Sequence, residues 1–493
     1  MENAGVPVTV DAAVKGQKTG VFAWLSNAGI LKLNAILLLS LISSYATGFD
    51  GSMMNGLQSL ESWKASFNHP EADDLALLNA IQSVGQLVAL PFCAYICDRF
   101  GRKPALLISA AIMLVGVALQ GGAQNTGMFI AARGIIGLGL ALNITPSARA
   151  LVSIYNSLWG VGALVAAWAT YGTFRIESTW AWRIPSLLQA FSSVLQLALC
   201  FLIEESPRWL ISKERDAEAE RLLIKYHADG DAAHPLVPLE MAEIRTALRL
   251  ENEALASTSY LSFFKTAGNR RRFFIILAVG FFSQWSGNGL ISYYLTLILN
   301  SIGYKDQETQ TLINGLLTLW GTVWSLAFSL IVNRFGRRTL FLVSTIGSLM
   351  VYIVWTALEA TYEKAVDVAG DGEGGPDGVT YVVEILPFNL RARGLVLYNL
   401  FVALALIFNQ YANPIGVTNS GWKYYITYDV WLAFEALVVY FLFVETGKLS
   451  LEETAAVLDG EDRERRLEEE VIRNTEKTLG LTTVETYHSG KGQ

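Results

Sequence analysis

Charge and sulfur are both scarce in this chain. Of its 493 residues only 16% are Asp, Glu, Lys or Arg, and only three are cysteine. Cys93, Cys97 and Cys200 fall in or beside apolar runs, so neither a disulfide framework nor a thiolate metal site is indicated. His69, His227, His234 and His488 show no ligand spacing, and no metal is expected. No nucleotide loop and no nucleophile constellation occurs, so an enzyme is not expected, no cofactor is implied, and gradients must drive whatever work is done. Residues 1–32 lack an apolar core, so the first apolar run is expected to act as its own insertion signal with no cleavable leader before it. The net charge of −7 gathers in polar stretches such as Glu468, Glu469 and Glu470, and nucleic-acid binding has no support.

What the chain has instead is grease. Hydrophobic residues make up 52% and the mean hydropathy is +0.36, too apolar for a soluble protein of this length. Runs long enough to cross a bilayer, which takes about 20 residues, are read at 35–56, 75–97, 105–123, 128–147, 151–173, 184–203, 273–299, 311–332, 339–358, 394–417 and 428–444. Lys and Arg concentrate at 99–103, in the polar stretch 205–272 and at 334–338, whereas the loop 57–74 carries Glu61, Glu71, Asp73 and Asp74 against Lys64. The positive-inside rule then places the basic loops and the N-terminus in the cytoplasm. A cytoplasmic segment 1–34, a bundle at 35–204, a helical linker at 205–272, a second bundle at 273–445 and a cytoplasmic tail at 446–493 follow as the expected organisation.

The two halves repeat each other. Asp98-Arg99-Phe100-Gly101-Arg102 corresponds to Asn333-Arg334-Phe335-Gly336-Arg337, Tyr155-Asn156 to Tyr398-Asn399, Trp182-Arg183 to Trp422-Lys423 and Glu205 to Glu445, all spaced by roughly 240 residues. Two same-direction bundles joined by a linker suit a transporter whose site lies at the midplane and which rocks one half against the other. The charged turns at equivalent positions would latch the halves on the cytoplasmic side; the alternative is that they only set topology.

The ordered phrases TGFDGSMMNGLQ (47–58), DRFGRK (98–103), ARGIIGLGLALNITP (132–146), SIYNSLWGVG (153–162), WAWRIPSLLQ (180–189), EESPRWLISK (204–213), QWSGNGLISYYL (284–295), NRFGRR (333–338), VEILPFNLRARG (383–394) and VETGKLSLEE (444–453) cover most of the chain. With them it resembles a sugar porter of the major facilitator superfamily, close to the fungal hexose and lactose-type permeases. The resemblance implies an all-α polytopic membrane protein with two pseudo-symmetric six-helix bundles, acting as a monomer in the lipid bilayer, in the plasma membrane, on a small neutral sugar and, in a symporter, on protons. It also implies a cytoplasmic gate built from Asp98, Arg99, Arg102, Glu205, Arg208, Arg334, Arg337, Glu384 and Arg391.

Candidate site residues follow from chemistry within the spans. Asp50 lies inside the first span, where a carboxylate needs a cavity or a partner, and Arg133 in the fourth is its natural counterpart. A carboxylate set between burial and an Arg is suited to take up and release a proton; in proton-coupled relatives the matching pair has that role, while facilitated diffusion with a structural pair is the alternative. A sugar has many hydroxyls and no charge, so its site needs neutral amides and aromatic faces. Gln284 and Asn288 lie four apart on one helical face, Tyr293 and Tyr294 follow, and Gln189 in span six is a further candidate. By the resemblance Asn156 matches a polar sugar-contacting position; Asn399 rests on the repeat, and Asn409 and Gln410 on lying mid-span. Such amides also serve to bond helices together. Gly134, Gly137 and Gly139 are expected to serve close helix packing rather than phosphate binding, and the sequon at Asn143 is buried in a span.

Two departures from the family pattern stand out. Between Thr361 and Glu384, where a tenth span belongs, Asp367, Asp371, Glu373 and Asp377 occur among glycines; an Asp near the bilayer centre costs roughly 2.5–3.5 kcal/mol, so 362–383 is expected not to span, leaving eleven clear spans and Arg391 and Arg393 on the outer side. The turn between spans four and five is reduced to TPSARALVS, with Arg149 as the only remnant of the family's basic turn. An inactive, internally deleted sugar porter is therefore one rival reading, and a transporter-like sugar sensor, which would need a longer tail than the one after Glu445, is the other.

Overall fold

The computed structural model describes residues 28–142, 152–202, 204–228, 230–257, 259–301, 303–331, 336–362 and 388–445, and every regular element among them is helical. The first group comprises α1 (Ala28–Ser59), α2 (Ala72–Phe100), α3 (Arg102–Gly121), α4 (Thr126–Leu142), α5 (Val152–Thr173), α6 (Trp180–Leu188) and α7 (Ala190–Leu199). Within it α1 packs on α5, α2 on α4, and α3 on α4 and α7. Two polar helices, α8 (Asp216–Tyr226) and α9 (Leu236–Ser257), lead to the second group: α10 (Ala267–Trp285), α11 (Asn288–Ser301), α12 (Gln307–Ile331), α13 (Arg337–Tyr362), α14 (Phe388–Ser420) and α15 (Lys423–Leu442). There α13 packs on α15 and α10 on α14, and the groups meet where α14 lies on α2, α12 on α5 and α11 on α1.

The distribution of polarity is inverted relative to a water-soluble protein. Phe92, Val115, Trp320, Phe328, Val343, Val430 and Phe441 are exposed, whereas Asp50, Asn55, Asn79, Gln82, Gln189, Asn409, Asn413 and Glu435 are buried. That arrangement suits a hydrocarbon solvent, in which every polar group must find a partner inside the protein. Seven stretches among the described residues are long and apolar enough to cross a membrane: Ala72–Phe100, Arg102–Gly121, Ala267–Asn300, Gln307–Phe328, Arg337–Leu358, Val396–Ser420 and Lys423–Leu442. The expected interruption at 362–383, apart from Tyr362 at the end of α13, and most of the shortened turn at 145–153 lie outside the described residues, as does the tail after Glu445.

One expected span is broken and another is locally perturbed. The run at 184–203 keeps helical backbone angles through Gln189 (φ −56°, ψ −29°), where α6 passes into α7, and ends in a short 3-10 turn at Cys200–Leu202. Pro185 has no N–H to offer the carbonyl four residues back, and Thr173 Oγ1 donates to that carbonyl, Ala181 O, at 2.8 Å. The run at 273–299 breaks between Trp285 and Asn288, with Gly287 at φ +90°. Gln284 and Asn288 therefore do not share one continuous helix, contrary to the sequence-based expectation. The broken end is satisfied by side chains from other helices: Asn409 Nδ2 donates to Gln284 O at 2.7 Å and Tyr352 OH to Gly287 O at 2.7 Å.

The repeated charged phrase now has a physical explanation. Gly101, at φ +100°, ends α2 and precedes α3, and Glu205 accepts from the backbone N–H groups of Arg102 at 2.8 Å and Lys103 at 3.2 Å. In the second group Glu445 accepts from the N–H of Arg337 at 2.6 Å, at the start of α13. Each carboxylate thus satisfies the orphan donors of a helix N-terminus and faces its positive end. A Cβ at Gly101 or Gly336 would run into the carboxylate of Glu205 or Glu445, so the glycine is needed for the approach. Replacing Gly101 by Ala is expected to cost about 1–3 kcal/mol from left-handed backbone strain alone, read as a lowered Tm; an unchanged Tm would contradict the capping role.

The linker forms a small core of its own, with Leu210, Ile211, Ala219, Leu223, Val237 and Met241 buried together. Arg208 pairs there with Glu251, so this expected gate residue faces the linker helix α9. His227 Nδ1 lies 2.7 Å from Glu240, and that hydrogen bond holds the imidazole above its ordinary value. A raised histidine contributes stability that is complete below the unfolded value, about 6.5, and is lost as pH climbs through the folded one. Hydrogen-exchange protection in α8 and α9, taken relative to the intrinsic rate at each pH, should therefore fall as pH rises above that value, and Glu240→Gln should flatten the response.

Candidate functional site: a polar cavity between the two helix groups

A cavity of about 230 Å³ lies between the groups, lined by Gln82, Ser83 and Gln86 of α2, Trp159 of α5, Gln284 at the end of α10, Asn288 and Tyr293 of α11, and Gln410 of α14, with Thr47, Gly51, Gly289, Ser292 and Leu406 completing its wall. Its lining contains amides, hydroxyls and aromatic rings and no formal charge. Gln284, Asn288 and Tyr293 all line it, with Gln284 and Asn288 on either side of the break in span seven.

Other sequence candidates sit elsewhere. Tyr294 is fully buried and its hydroxyl donates to the carbonyl of Gln410, so it braces α14 against α11 instead of lining the cavity. Gln189 is engaged with Asp50, donating from Nε2 to Oδ1 at 2.6 Å. Asn399 is not in the lining, while Gln410, expected only from its mid-span position, is, accepting from Ser83 Oγ at 2.8 Å. Asn409 holds the broken end of α10. Asn156 lies in α5 and Arg391 in α14, but their side chains are outside the described residues, as are Arg334 and Glu384 altogether. Gln82, Ser83, Gln86 and Trp159 were not anticipated, although Gln82 and Gln86 stand four apart in an otherwise apolar run, the same signal that picked out Gln284.

Beside the cavity is the charged pair. Asp50 is 0% exposed and Arg133 2%, with Nη1 to Oδ1 at 3.5 Å. Arg133 spends its other donors on Leu78 O, from Nε at 2.7 Å, and on Gln82 Oε1, from Nη2 at 2.7 Å. Asp50 Oδ2 has no hydrogen-bond partner. A buried carboxylate oxygen without a donor is costly when ionised and is a natural place for a proton. Through Gln82 the pair is one hydrogen bond from the cavity wall.

The groups are joined by several direct bonds. At the end away from the charged phrases Asn55 Nδ2 donates to Ile291 O at 3.2 Å and Asn314 Oδ1 at 3.1 Å, and Asn55 Oδ1 accepts from Leu295 N at 3.1 Å. Gln58 Nε2 donates to Tyr293 O at 3.0 Å, Gln307 Nε2 to Phe174 O at 3.1 Å, and Arg175 pairs with Glu308 at 2.7 Å. At the opposite end Glu205 and Glu445 bond within their own groups. Trp209 Nε1 reaches Asp98 O at 3.2 Å, which ties the linker to the first motif. Close packing accounts for two glycines of α4, since a Cβ at Gly137 would meet the Gln82 backbone of α2 and one at Gly139 the Met113 side chain of α3, whereas one at Gly134 would meet only Ile81 at an ordinary contact distance.

The family model described as sugar (and other) transporter matches residues 35–458. Among curated proteins the chain is similar to the MFS-type transporter criB of Aspergillus cristatus, 25% identical over 468 residues covering 89% of this chain and 96% of that protein. It is similar to a high-affinity glucose transporter of Kluyveromyces lactis, 24% identical over 478 residues, with 86% and 84% covered, and to a probable quinate permease of Aspergillus clavatus, 30% identical over 375 residues, with 70% and 68% covered. Among solved structures it is similar to the inward open conformation of the xylose transporter XylE from E. coli, with a TM-score of 0.67 and 20% identity over 86% of this chain and 99% of that one.

Proposed function

Because the chain belongs to the sugar (and other) transporter family and has the major facilitator fold, we propose that it carries a small neutral sugar across the membrane by alternating access, coupled to protons through Asp50 and Arg133. The observation that carries this reading is the uncharged, amide-rich lining of the cavity between the helix groups. Gln82, Gln86, Gln284, Asn288 and Gln410 offer both donors and acceptors to hydroxyls, and Trp159 and Tyr293 offer ring faces to a sugar's C–H surface. An anion such as quinate would call for a cation in the wall, and Arg133 is sequestered on Asp50, Leu78 and Gln82.

In this reading the conformation described is closed on the outer side by the Asn55, Gln58 and Arg175 contacts and faces the cytoplasm, where the N-terminus, the linker and the charged phrases lie. Glu205 and Glu445 hold the starts of α3 and α13 so that each half moves as a unit. Asp50, on the first span next to Gly51 of the wall, takes up a proton when its pairing with Arg133 loosens and returns it when the pair re-forms. The test is binding of a labelled panel of hexose, pentose, disaccharide, polyol and quinate to purified protein. A neutral sugar should bind and be lost on Gln284→Ala and Gln410→Ala; binding of quinate alone would overturn the neutral-sugar reading.

A further inference from the structure

A second carboxylate lies deep in the other helix group, away from the Asp50 pair. Glu435 of α15 is 0% exposed, and it meets the break in span seven. Trp431 Nε1 donates to its Oε1. Its Oε2 lies 2.8 Å from Ser286 Oγ, and Ser286 Oγ lies 2.5 Å from Phe282 O. Ser286 immediately follows α10 at the point where the chain breaks before Asn288.

Hydrogen counting makes this cluster informative. Two oxygen–oxygen contacts converge on Ser286 Oγ, and a hydroxyl has one hydrogen. A carbonyl oxygen has none to give, so if the Ser286 hydrogen points to Phe282 O, the hydrogen between Ser286 and Glu435 must sit on Glu435 Oε2. The cluster is then complete: Trp431 to Oε1, Oε2–H to Ser286, Ser286 to Phe282 O. When Glu435 is ionised, the one Ser286 hydrogen turns to the carboxylate, and the Phe282 carbonyl loses its bond from the hydroxyl at the end of α10.

No cation is paired with Glu435 among the described residues. Among the described side chains the cations on α15 and on the helices packed around it are Lys423 at the start of α15, Arg270, Arg271 and Arg272 of α10, and Arg337 and Arg338 of α13. Arg270 donates to Phe264 O. Arg271 donates to Leu442 O, Arg272 to Asn269, and Arg338 to Tyr440 O, while Arg337 stands at the start of α13 beside Glu445. Of the titratable side chains, Tyr352 of α13 is bound to Gly287 O and Tyr428 of α15 to Asn413. Tyr398 of α14 is buried in the apolar cluster with Phe282, and Asp429 lies six residues before Glu435 on α15. No ion pair to Glu435 exists among the described residues.

We propose that Glu435 is a second proton-binding group of this protein, carrying its proton in the conformation described and acting through Ser286 as a positioning residue for the broken end of α10, and so for Gln284 and Asn288 in the cavity. The consequence for substrate rests on the transport reading; the protonation itself does not.

The test is infrared difference spectroscopy of the full chain in lipid nanodiscs across a pH titration. The wild type should show a protonated-carboxyl band that bleaches as pH rises, that Glu435→Gln removes and that Asp50→Asn leaves in place. Ser286→Ala, which keeps the carboxyl, should shift that band by removing its hydrogen-bond partner. Hydrogen exchange across 282–290, normalised to the intrinsic base-catalysed rate at each pH, should rise with pH in the wild type and stay flat in Glu435→Gln. A protonated-carboxyl spectrum unchanged by Glu435→Gln overturns the proposal, and so does an exchange response of equal slope in the two proteins. A sugar panel that fails to bind removes the transport reading while these spectra still decide the protonation.

Discussion

Replacing Asp50 by Asn is expected to abolish accumulation of sugar against its gradient while leaving exchange of labelled for unlabelled sugar across the membrane. The substitution keeps the size of the side chain and an acceptor for Gln189 Nε2, which now stands 2.6 Å from Oδ1. What it removes is the group that takes the proton, so the steady-state ratio of inner to outer sugar should fall to about one. Arg133 is left with Leu78 O and Gln82 Oε1 as acceptors but without its counter-charge, and breaking a buried pair from one side costs roughly 3–5 kcal/mol. The stability loss and the coupling loss are separable. The double variant Asp50→Asn with Arg133→Gln should recover much of the Tm and none of the accumulation, in a proteoliposome assay with an imposed proton gradient. Accumulation by the single variant would show that the pair is structural.

The second large effect is expected at Asn55. Its side chain serves Ile291 O, Asn314 Oδ1 and Leu295 N across the boundary between the helix groups. Leu295 N depends on it because α11 departs from helical geometry at Tyr294, with φ −136° and ψ 24°. Asn55→Leu keeps the bulk and leaves those groups without their partner, each at about 1–3 kcal/mol. Opening toward water relieves that cost, so the balance between the sealed and open forms should shift by at least about 2 kcal/mol, roughly 30-fold. Spin labels at positions 64 and 305, on opposite groups at the sealed end, should report a longer distance in the variant. An unchanged distance distribution would mean that Gln58, Gln307 and the Arg175–Glu308 pair close that end without Asn55.

How much of this was legible in the sequence depends on the kind of signal. A charge inside an apolar run is conspicuous, because hydrocarbon makes it expensive, and Asp50 and Arg133 were read as partners on that ground. Glu435 carries the same signal within the run at 428–444, but its partners, Ser286 and Trp431, are neutral and give no matching charge to find in the sequence. Amides are harder to read, since an amide bonded to a helix and an amide facing a cavity look alike in one dimension. Gln284 and Asn288 line the cavity, whereas Gln189 turns to Asp50 and Asn409 to the broken end of α10. The adjacent Tyr293 and Tyr294 point different ways for the same reason, one residue being about 100° of helix.

The irregularities in spans six and seven were not legible because the residues that allow them tolerate helices too. Gly287 gives span seven its turn only because Tyr352 and Asn409, far away in the chain, are there to satisfy the freed carbonyls. Pro185 removes one backbone donor inside span six, and Thr173 supplies a replacement. The charged phrase was recognised as a repeat, with Glu205 and Glu445 at matching places and the arginines expected to bond carboxylates and helix ends. The structure assigns the bonds to Glu205 and Glu445, which accept from backbone N–H groups that no side-chain pattern reveals.

The most direct test of the account is uptake of a labelled neutral sugar into proteoliposomes containing the full chain, compared with the Gln284→Ala, Gln410→Ala double variant at equal protein content. The account predicts saturable uptake by the wild type that the double variant loses, with the proton gradient raising the wild-type plateau. Uptake that survives loss of both amides, or a wild type that moves no neutral sugar in either direction, would contradict it.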